Sequence, residues 1–157
     1  MKTFAGLRIH DIVQNFSDTL IRIAIQQTKN MSEAEDIVQE VYMSLMKQRD
    51  FFDDEAHLKG WLIKVTYNKC KDYFKLSRVR QNIPITEEMT FMAKEEQSIL
   101  PEIFELELEE TTIVYLHYYE GYKIAEIADL LEMKVNTVSS KLRRLRMKLR
   151  FILEERS

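Results

Sequence analysis

A chain of 157 residues with three Gly, two Pro and one Cys has room for one ordinary domain or two small ones, and so little turn punctuation argues against a β-rich fold. The lone Cys70 excludes an internal disulfide and a multi-cysteine zinc site, and fits a reducing compartment. A formal net charge of -3 excludes binding to nucleic acid by bulk charge, so any DNA contact must come from local basic surfaces and needs a partner's help. The richness in Leu, Ile, Met, Glu and Lys makes all-α the expected fold class, as two small helical domains joined by a flexible linker. The opening stretch is broken by Arg8, His10, Asp11 and Gln14, so it lacks a signal-peptide core, and no later run approaches a membrane span. The expectation is a cytoplasmic protein with no membrane insertion.

From Ile9 to Lys29, apolar residues at Ile9, Ile12, Val13, Phe16, Leu20, Ile23, Ala24 and Thr28 keep the three-to-four spacing of one helical face. Ser32 followed by Glu35 reads as a capping box that starts a second helix. Its core stripe is Ile37, Val38, Val41, Tyr42, Leu45 and Met46, with Asp36, Gln39, Glu40, Met43 and Lys47 on the other side. Residues 49–55 break the pattern as a loop carrying Phe51 and Phe52. A third helix resumes near Ala56, packs Leu58, Trp61, Leu62, Val65, Cys70 and Tyr73, and runs to about Val79. Along it Lys59, Lys64, Lys69, Lys71, Lys75, Arg78 and Arg80 face only Asp72, with Trp61, Tyr67, Tyr73 and Phe74 among them. Cations interleaved with aromatic faces suit unstacked bases and phosphates, and equally describe a solvated helix with a buried Trp and Tyr.

Residues 81–99 hold a Pro, clustered acids and no sustained stripe, and read as the linker. Leu100-Pro101-Glu102 then opens a further helical set, since Pro is favoured in a helix's first turn. Ile103, Phe104, Leu106 and Leu108 follow, then Thr112, Ile113, Leu116 and Tyr119. Charge is sorted by segment. Between Gln81 and Met133 thirteen acids face only Lys94 and Lys123, whereas Lys134 to Arg150 carries seven cations and no acid.

Gly121 ends one helix, and Ile124, Ile127, Ala128 and Leu131 form the apolar face of the next. Glu132-Met133-Lys134 is the turn, with Glu132 where a Gly is usual. Val135, Val138, Leu142, Leu145, Leu149 and Ile152 stripe the last helix, leaving Asn136, Thr137, Ser139, Ser140, Lys141, Arg143, Arg144 and Lys148 to face outward. A short helix, a turn and a second helix with polar and basic residues near its start fit a helix-turn-helix that reads the major groove. A solvated amphipathic hairpin or a short coiled-coil seam has the same spacing. Catalysis has little support: His10, His57 and His117 stand isolated from Cys or carboxylate at ligand spacing, there is no Gly-rich phosphate loop, and neither a metal nor a cofactor is expected. Cys70 reads as a packed thiol, or as a redox sensor if its basic neighbours lower its pKa at an exposed site.

Taken in order, the segment from Ser32 to Tyr42, the segment from Leu58 to Asn68, Leu100-Pro-Glu102, and the run from Tyr119 to Ala128 leading into Asn136-Thr-Val-Ser-Ser-Lys-Leu142 closely resemble a bacterial extracytoplasmic-function (ECF) sigma factor. The resemblance spans residues 9 to 153. It implies residues 1–80 as sigma region two, 81–99 as the linker and 100–157 as region four. It implies binding of Asp36, Gln39, Glu40, Met43 and Lys47 to the β′ clamp helices of RNA polymerase core, and of the chain to the β flap. It further implies a base pocket for the -10 element at Phe52 and Asn68, with Lys64, Lys69, Lys71 and Lys75 on the strand backbone, while Trp61 falls in register with the core. At the -35 element it implies Thr137, Ser139, Ser140, Arg143 and Arg144, with Lys134 and Lys141 near phosphates. Ser139 replaces the long basic side chain of many relatives, and a short hydroxyl cannot make Arg's bidentate guanine contact. The expected activity is promoter-specific transcription initiation without catalysis by this chain, with an anti-sigma factor as a further partner. A stand-alone helix-turn-helix regulator and a sigma-like binding module are the competing readings.

Overall fold

The structure, a computed structural model, describes residues 2–49, 51–81 and 108–155. The chain divides into two compact units, Met1–Lys75 and Leu76–Ser157. Regular structure among the described residues is helical, apart from one isolated backbone bridge between Phe4 and Leu7. Of the expected linker only Gln81 is described, as the last residue of the third helix. The rest of it, and the helix start at Leu100-Pro101-Glu102 with Ile103, Phe104 and Leu106, lie outside the described residues.

In the first unit, α1 (Ile9–Thr28) buries Ile12, Phe16, Leu20, Ile23 and Ala24, which return to one face every three or four residues. Each fully buried Leu or Ile contributes roughly 1.5–3 kcal/mol of transfer free energy. Val13 lies at the edge of that face, 38% exposed. Lys29 takes a left-handed conformation and donates its N–H to the Ile25 carbonyl, ending the helix. α2 (Met31–Lys47) starts two residues earlier than a Ser32 cap predicts, because the Asn30 side chain accepts the Glu33 N–H at 3.1 Å. Asn30 is therefore the cap, and Ser32 and Glu35 are exposed surface. α2 buries Ala34, Ile37, Val38, Val41 and Leu45, while Met46, expected in the stripe, is 46% exposed one step round from Leu45.

α3 (Glu55–Gln81) is capped by Asp54, whose carboxylate accepts the His57 N–H at 2.8 Å. It turns Leu58, Leu62, Ile63, Thr66, Tyr67 and Cys70 into the core. Two polar groups are satisfied there: the Thr66 hydroxyl donates to the Leu62 carbonyl at 2.7 Å, and Ser17 shares a 2.6 Å hydrogen bond with Tyr42 between α1 and α2. The Tyr73 hydroxyl donates to the Glu33 carboxylate, tying α3 to the start of α2. Cys70 is fully buried, and burial pushes its thiol up to about 12, so it is the packed thiol and not the sensor.

In the second unit, α4 (Leu108–Val114) runs into a π-helical turn, Tyr115–Tyr119. The wider turn spends an extra residue per revolution, which carries Tyr119 out of the core face where strict α-helical spacing puts it. Tyr119 is 62% exposed and stacks on Tyr115 at 5.1 Å. Gly121 takes φ 78, as a helix end with a positive φ requires. α5 (Ile124–Leu131), α6 (Val135–Glu155), α4 and the π-helical turn build a core of Thr112, Ile113, Leu116, Ile127, Ala128, Leu131, Val138, Leu142 and Leu145, all buried. Val135, expected in the stripe, is half exposed at the start of α6.

Candidate nucleic-acid interface

On α2, Asp36, Gln39, Glu40, Met43 and Lys47 are all exposed, as their spacing opposite the buried stripe requires. Acids lie toward the helix start and Lys47 in its last turn, an order that complements the helix dipole. Met43 is 60% exposed, an apolar spot in a polar face.

On α3, successive residues turn by about 100°, which brings Trp61, Lys64, Asn68, Lys71 and Lys75 into a single lengthwise stripe. Asn68 and Lys75 are exposed, Lys64 and Lys71 half-buried. Lys71 holds its ammonium 5.3 Å from the centre of the Tyr67 ring, which is itself buried. Lys69 leaves this stripe. It points toward α2, where its ammonium comes to 4.0 Å from the Glu40 carboxylate.

The loop before α3 places its two aromatic residues oppositely. Phe52 is 4% exposed and sits among three rings edge to face: Phe4 at 6.3 Å, Trp61 at 5.8 Å and His57 at 5.3 Å. Phe51 is 86% exposed. Phe52, expected in the base pocket with Asn68, is thus covered by its ring neighbours, and the ring offered to solvent is that of Phe51. Neighbouring side chains on an extended loop point apart, so one aromatic of the pair had to be outside, and spacing within the loop could not say which. Trp61 is half-buried, held by its contact with Phe52. A cleft of about 290 Å³ opens beside Phe51, lined by Thr3, Phe4, Ala5, Gly6, Phe51, Phe52 and Asp53.

In the second unit, α5, the turn and α6 form the predicted helix-turn-helix. Glu132 sits at φ 55, ψ 48, and two hydrogen bonds close the turn: Met133 N–H to the Ala128 carbonyl at 2.9 Å and Glu132 N–H to the Asp129 carbonyl at 3.3 Å. This is the Schellman arrangement that usually holds a Gly, so Glu132 preserves the turn at the expense of a left-handed backbone. At the other end of α5, Glu126 reaches back to accept the Lys123 N–H at 3.0 Å.

The seven cations of residues 134–150 do different jobs. Lys141, expected near phosphate, is 13% exposed at its side chain and lies 3.3 Å from Glu109 and 3.6 Å from Glu110 on α4. Its charge is spent inside the unit, holding α6 to α4. Arg146 lies over the Tyr118 ring at 5.5 Å, donates to the Tyr118 hydroxyl, and approaches His117 Nε2 at 3.4 Å. His117 Nδ1 is 3.0 Å from the Tyr122 carbonyl and must donate to it, which leaves Nε2 as the acceptor in the neutral ring. Arg150 pairs with Glu154 at 3.4 Å. Lys134, Arg143, Arg144 and Lys148 are exposed and carry no ion pair among the described residues. Ser139 is exposed, with Thr137 and Ser140 half-buried beside it. The arrangement offers a short polar edge flanked by exposed cations, the chemistry that positions a helix on duplex phosphates and base edges.

Among the described residues no His, Cys, Asp and Glu cluster could hold a metal ion, and no helix is long and apolar enough to cross a membrane. The family model described as Sigma-70 region 2 matches residues 12–79, and the one described as Sigma-70, region 4 matches residues 103–149. The chain is similar to the ECF RNA polymerase sigma factor SigW of Bacillus subtilis, 27% identical over 163 residues that cover 89% of this chain and 86% of that protein. It is similar also to SigX of the same organism, 23% identical over 164 residues, covering 92% of this chain and 84% of that protein. Among solved structures, the sigma factor RpoE in complex with the anti-sigma factor NepR from Bartonella quintana matches with a TM-score of 0.68 at 19% identity, over 92% of this chain and 96% of that one. That likeness is one of fold.

Proposed function

The chain belongs to the extracytoplasmic-function sigma factors of the sigma-70 family, and from that membership we propose how its surfaces divide the work of starting transcription. As a sigma factor it acts in transcription initiation with RNA polymerase core and promoter DNA. Residues 1–80 act as region two, 81–99 as the linker and 100–157 as region four. The exposed face Asp36, Gln39, Glu40, Met43 and Lys47 docks on the β′ clamp helices, and region four reaches the β flap. The α3 stripe of Lys64, Asn68, Lys71 and Lys75 follows the opened -10 strand, with Phe51 as the offered stacking ring and Phe52 as its inward anchor. Thr137, Ser139, Ser140, Arg143 and Arg144 face the -35 duplex, with Lys134 on a phosphate. Lys69 and Lys141 hold helices in place.

The observation that carries this reading is the joint presence, in order, of a region 2 match over the aromatic and lysine stripe and a region 4 match over a helix-turn-helix whose second helix exposes cations. Duplex reading and single-strand capture on one chain are what a stand-alone repressor does not need. The polymerase performs the chemistry, this chain supplies binding energy and selectivity, and its place is the bacterial cytoplasm. A protein inhibitor of the anti-sigma kind, as in the RpoE complex, is the regulatory partner. Run-off transcription with purified core enzyme tests the whole: promoter-specific transcripts that disappear with Asn68→Ala support it. Tight duplex binding without polymerase would favour a stand-alone regulator, and core binding without transcripts a sigma-like inhibitor.

A further inference from the structure

Before α1 the backbone makes a tight reversal. Phe4 and Leu7 exchange two hydrogen bonds of 2.8 and 2.9 Å, and the two residues between them, Ala5 and Gly6, both have positive φ, 51 and 80. Positive φ at both central positions matches the twist of a tight two-residue turn, but Ala5 gains nothing from it and must be held there by its surroundings. The surroundings are specific. The Lys2 ammonium donates to the Met46 carbonyl at 2.7 Å and to the Gln48 carbonyl at 3.0 Å, closing the C-terminal end of α2 where the next loop begins. The same ammonium lies 5.3 Å from the centre of the Phe4 ring, and Phe4, 4% exposed, abuts Phe52.

Lys2 thus fixes where the loop leaves α2, and Phe4 fixes which of the loop's two rings is buried. With Phe52 pinned inward, Phe51 stands out over the cleft. Four of the seven residues lining that cleft, Thr3, Phe4, Ala5 and Gly6, come from the turn before α1, and three, Phe51, Phe52 and Asp53, from the loop.

We propose that the turn of residues 2–7 is the second wall of the site that takes an unstacked -10 base, and that Lys2 and Phe4 are positioning residues which set its base preference through the placement of Phe51. The proposal rests on the sigma reading of the loop. The ligand class is a single-stranded nucleobase, held by a ring on one side and by backbone edges of the turn on the other.

The test uses the full chain bound to core polymerase, and single-stranded -10 oligonucleotides carrying each of the four bases at the captured position. Phe4→Ala weakens the best oligonucleotide about tenfold, the scale of one lost base-aromatic stack, and flattens the preference among the four bases. Affinity for core enzyme and for a -35 duplex stays at the parent level. Lys2→Gln leaves the buried rings in place and removes the ammonium, with its two carbonyl contacts and its approach to the Phe4 ring, and, with thermal unfolding measured alongside, it too flattens the preference. A merely structural role would lower the melting temperature and leave the ratio among bases alone. If the parent holoenzyme captures the strand while both variants keep its affinity and base preference, the proposal falls and the sigma reading stands. If the parent holoenzyme captures none of the oligonucleotides, the two fall together.

Discussion

α3 and α6 look alike as strings, each a long helix crowded with cations, yet they deploy charge differently. α3 keeps most of its lysines in one stripe beside aromatic rings and turns Lys69 toward Glu40 of its own unit. α6 and the turn before it give three of their seven cations to internal work: Lys141 to Glu109 and Glu110, Arg146 to Tyr118 and His117, Arg150 to Glu154. Charge in a sequence is therefore not charge on a surface. The difference agrees with the proposed ligands of the two helices, since lysines among rings suit a flexible strand, while arginines beside short hydroxyls suit the fixed edges of a duplex groove.

The largest effect should come from breaking each helix separately. Arg143→Gln with Arg144→Gln should lower -35 duplex affinity on the order of a hundredfold and make the salt dependence shallower by about two phosphate contacts, measured by anisotropy across a salt series. Lys71→Gln with Lys75→Gln should leave that duplex affinity alone and weaken capture of a single-stranded -10 oligonucleotide by roughly tenfold. Equal losses in both assays from either pair would erase the distinction between the helices.

Next in size, Lys141→Gln should cost about 1–2 kcal/mol of stability, because Glu109 and Glu110 lose a well-covered partner. Its salt slope for duplex DNA should stay at the parent value. A slope lowered by one contact would return Lys141 to the DNA surface. Smaller and opposite in sign, Glu132→Gly should stabilise the second unit by about 1 kcal/mol by relieving the left-handed backbone, read as a rise of a few degrees in melting temperature.

Smallest at neutral pH is a property the units share. Burial pushes the Cys70 thiol up to about 12, and pushes the Tyr122 hydroxyl up to about 12 with help from Glu120 and Glu126. An unfolded chain releases these protons near their ordinary values of 9.0 and 10.0. The stability they contribute is thus intact below about pH 9, falls as pH climbs beyond that, and is lost through 12. Urea midpoints should be flat from pH 7 to 9 and decline above, and a midpoint that rises there would contradict both burials.

Much of this was legible in the sequence. Apolar residues every three or four positions mark where α1, α2, α3, α5 and α6 lie, and the outward placement of Asp36, Gln39, Glu40, Met43 and Lys47 follows from the same spacing. What spacing misses is geometry that depends on a distant partner or on a broken period. The acids that claim Lys141 sit some thirty residues upstream on α4, and nothing near Lys141 announces them. The π-helical turn changes the period under Tyr119 without changing composition. Phe52 is covered and Phe51 exposed, and the Phe4 ring packed against Phe52 comes from far back in the chain. Asn30 outcompetes Ser32 as a cap because an Asn side chain two residues earlier already reaches the first-turn N–H.

The burial of Cys70 has a practical side. A chain whose lone thiol is sealed in the core and held protonated needs no cysteine-free background for site-specific dye attachment. Met31→Cys in the first unit and Met147→Cys in the second, both at well-exposed positions, should take maleimide fluorophores at neutral pH while Cys70 stays unmodified. Energy transfer between that pair would then report the separation of the two units in the free chain, on core polymerase and on an opened promoter.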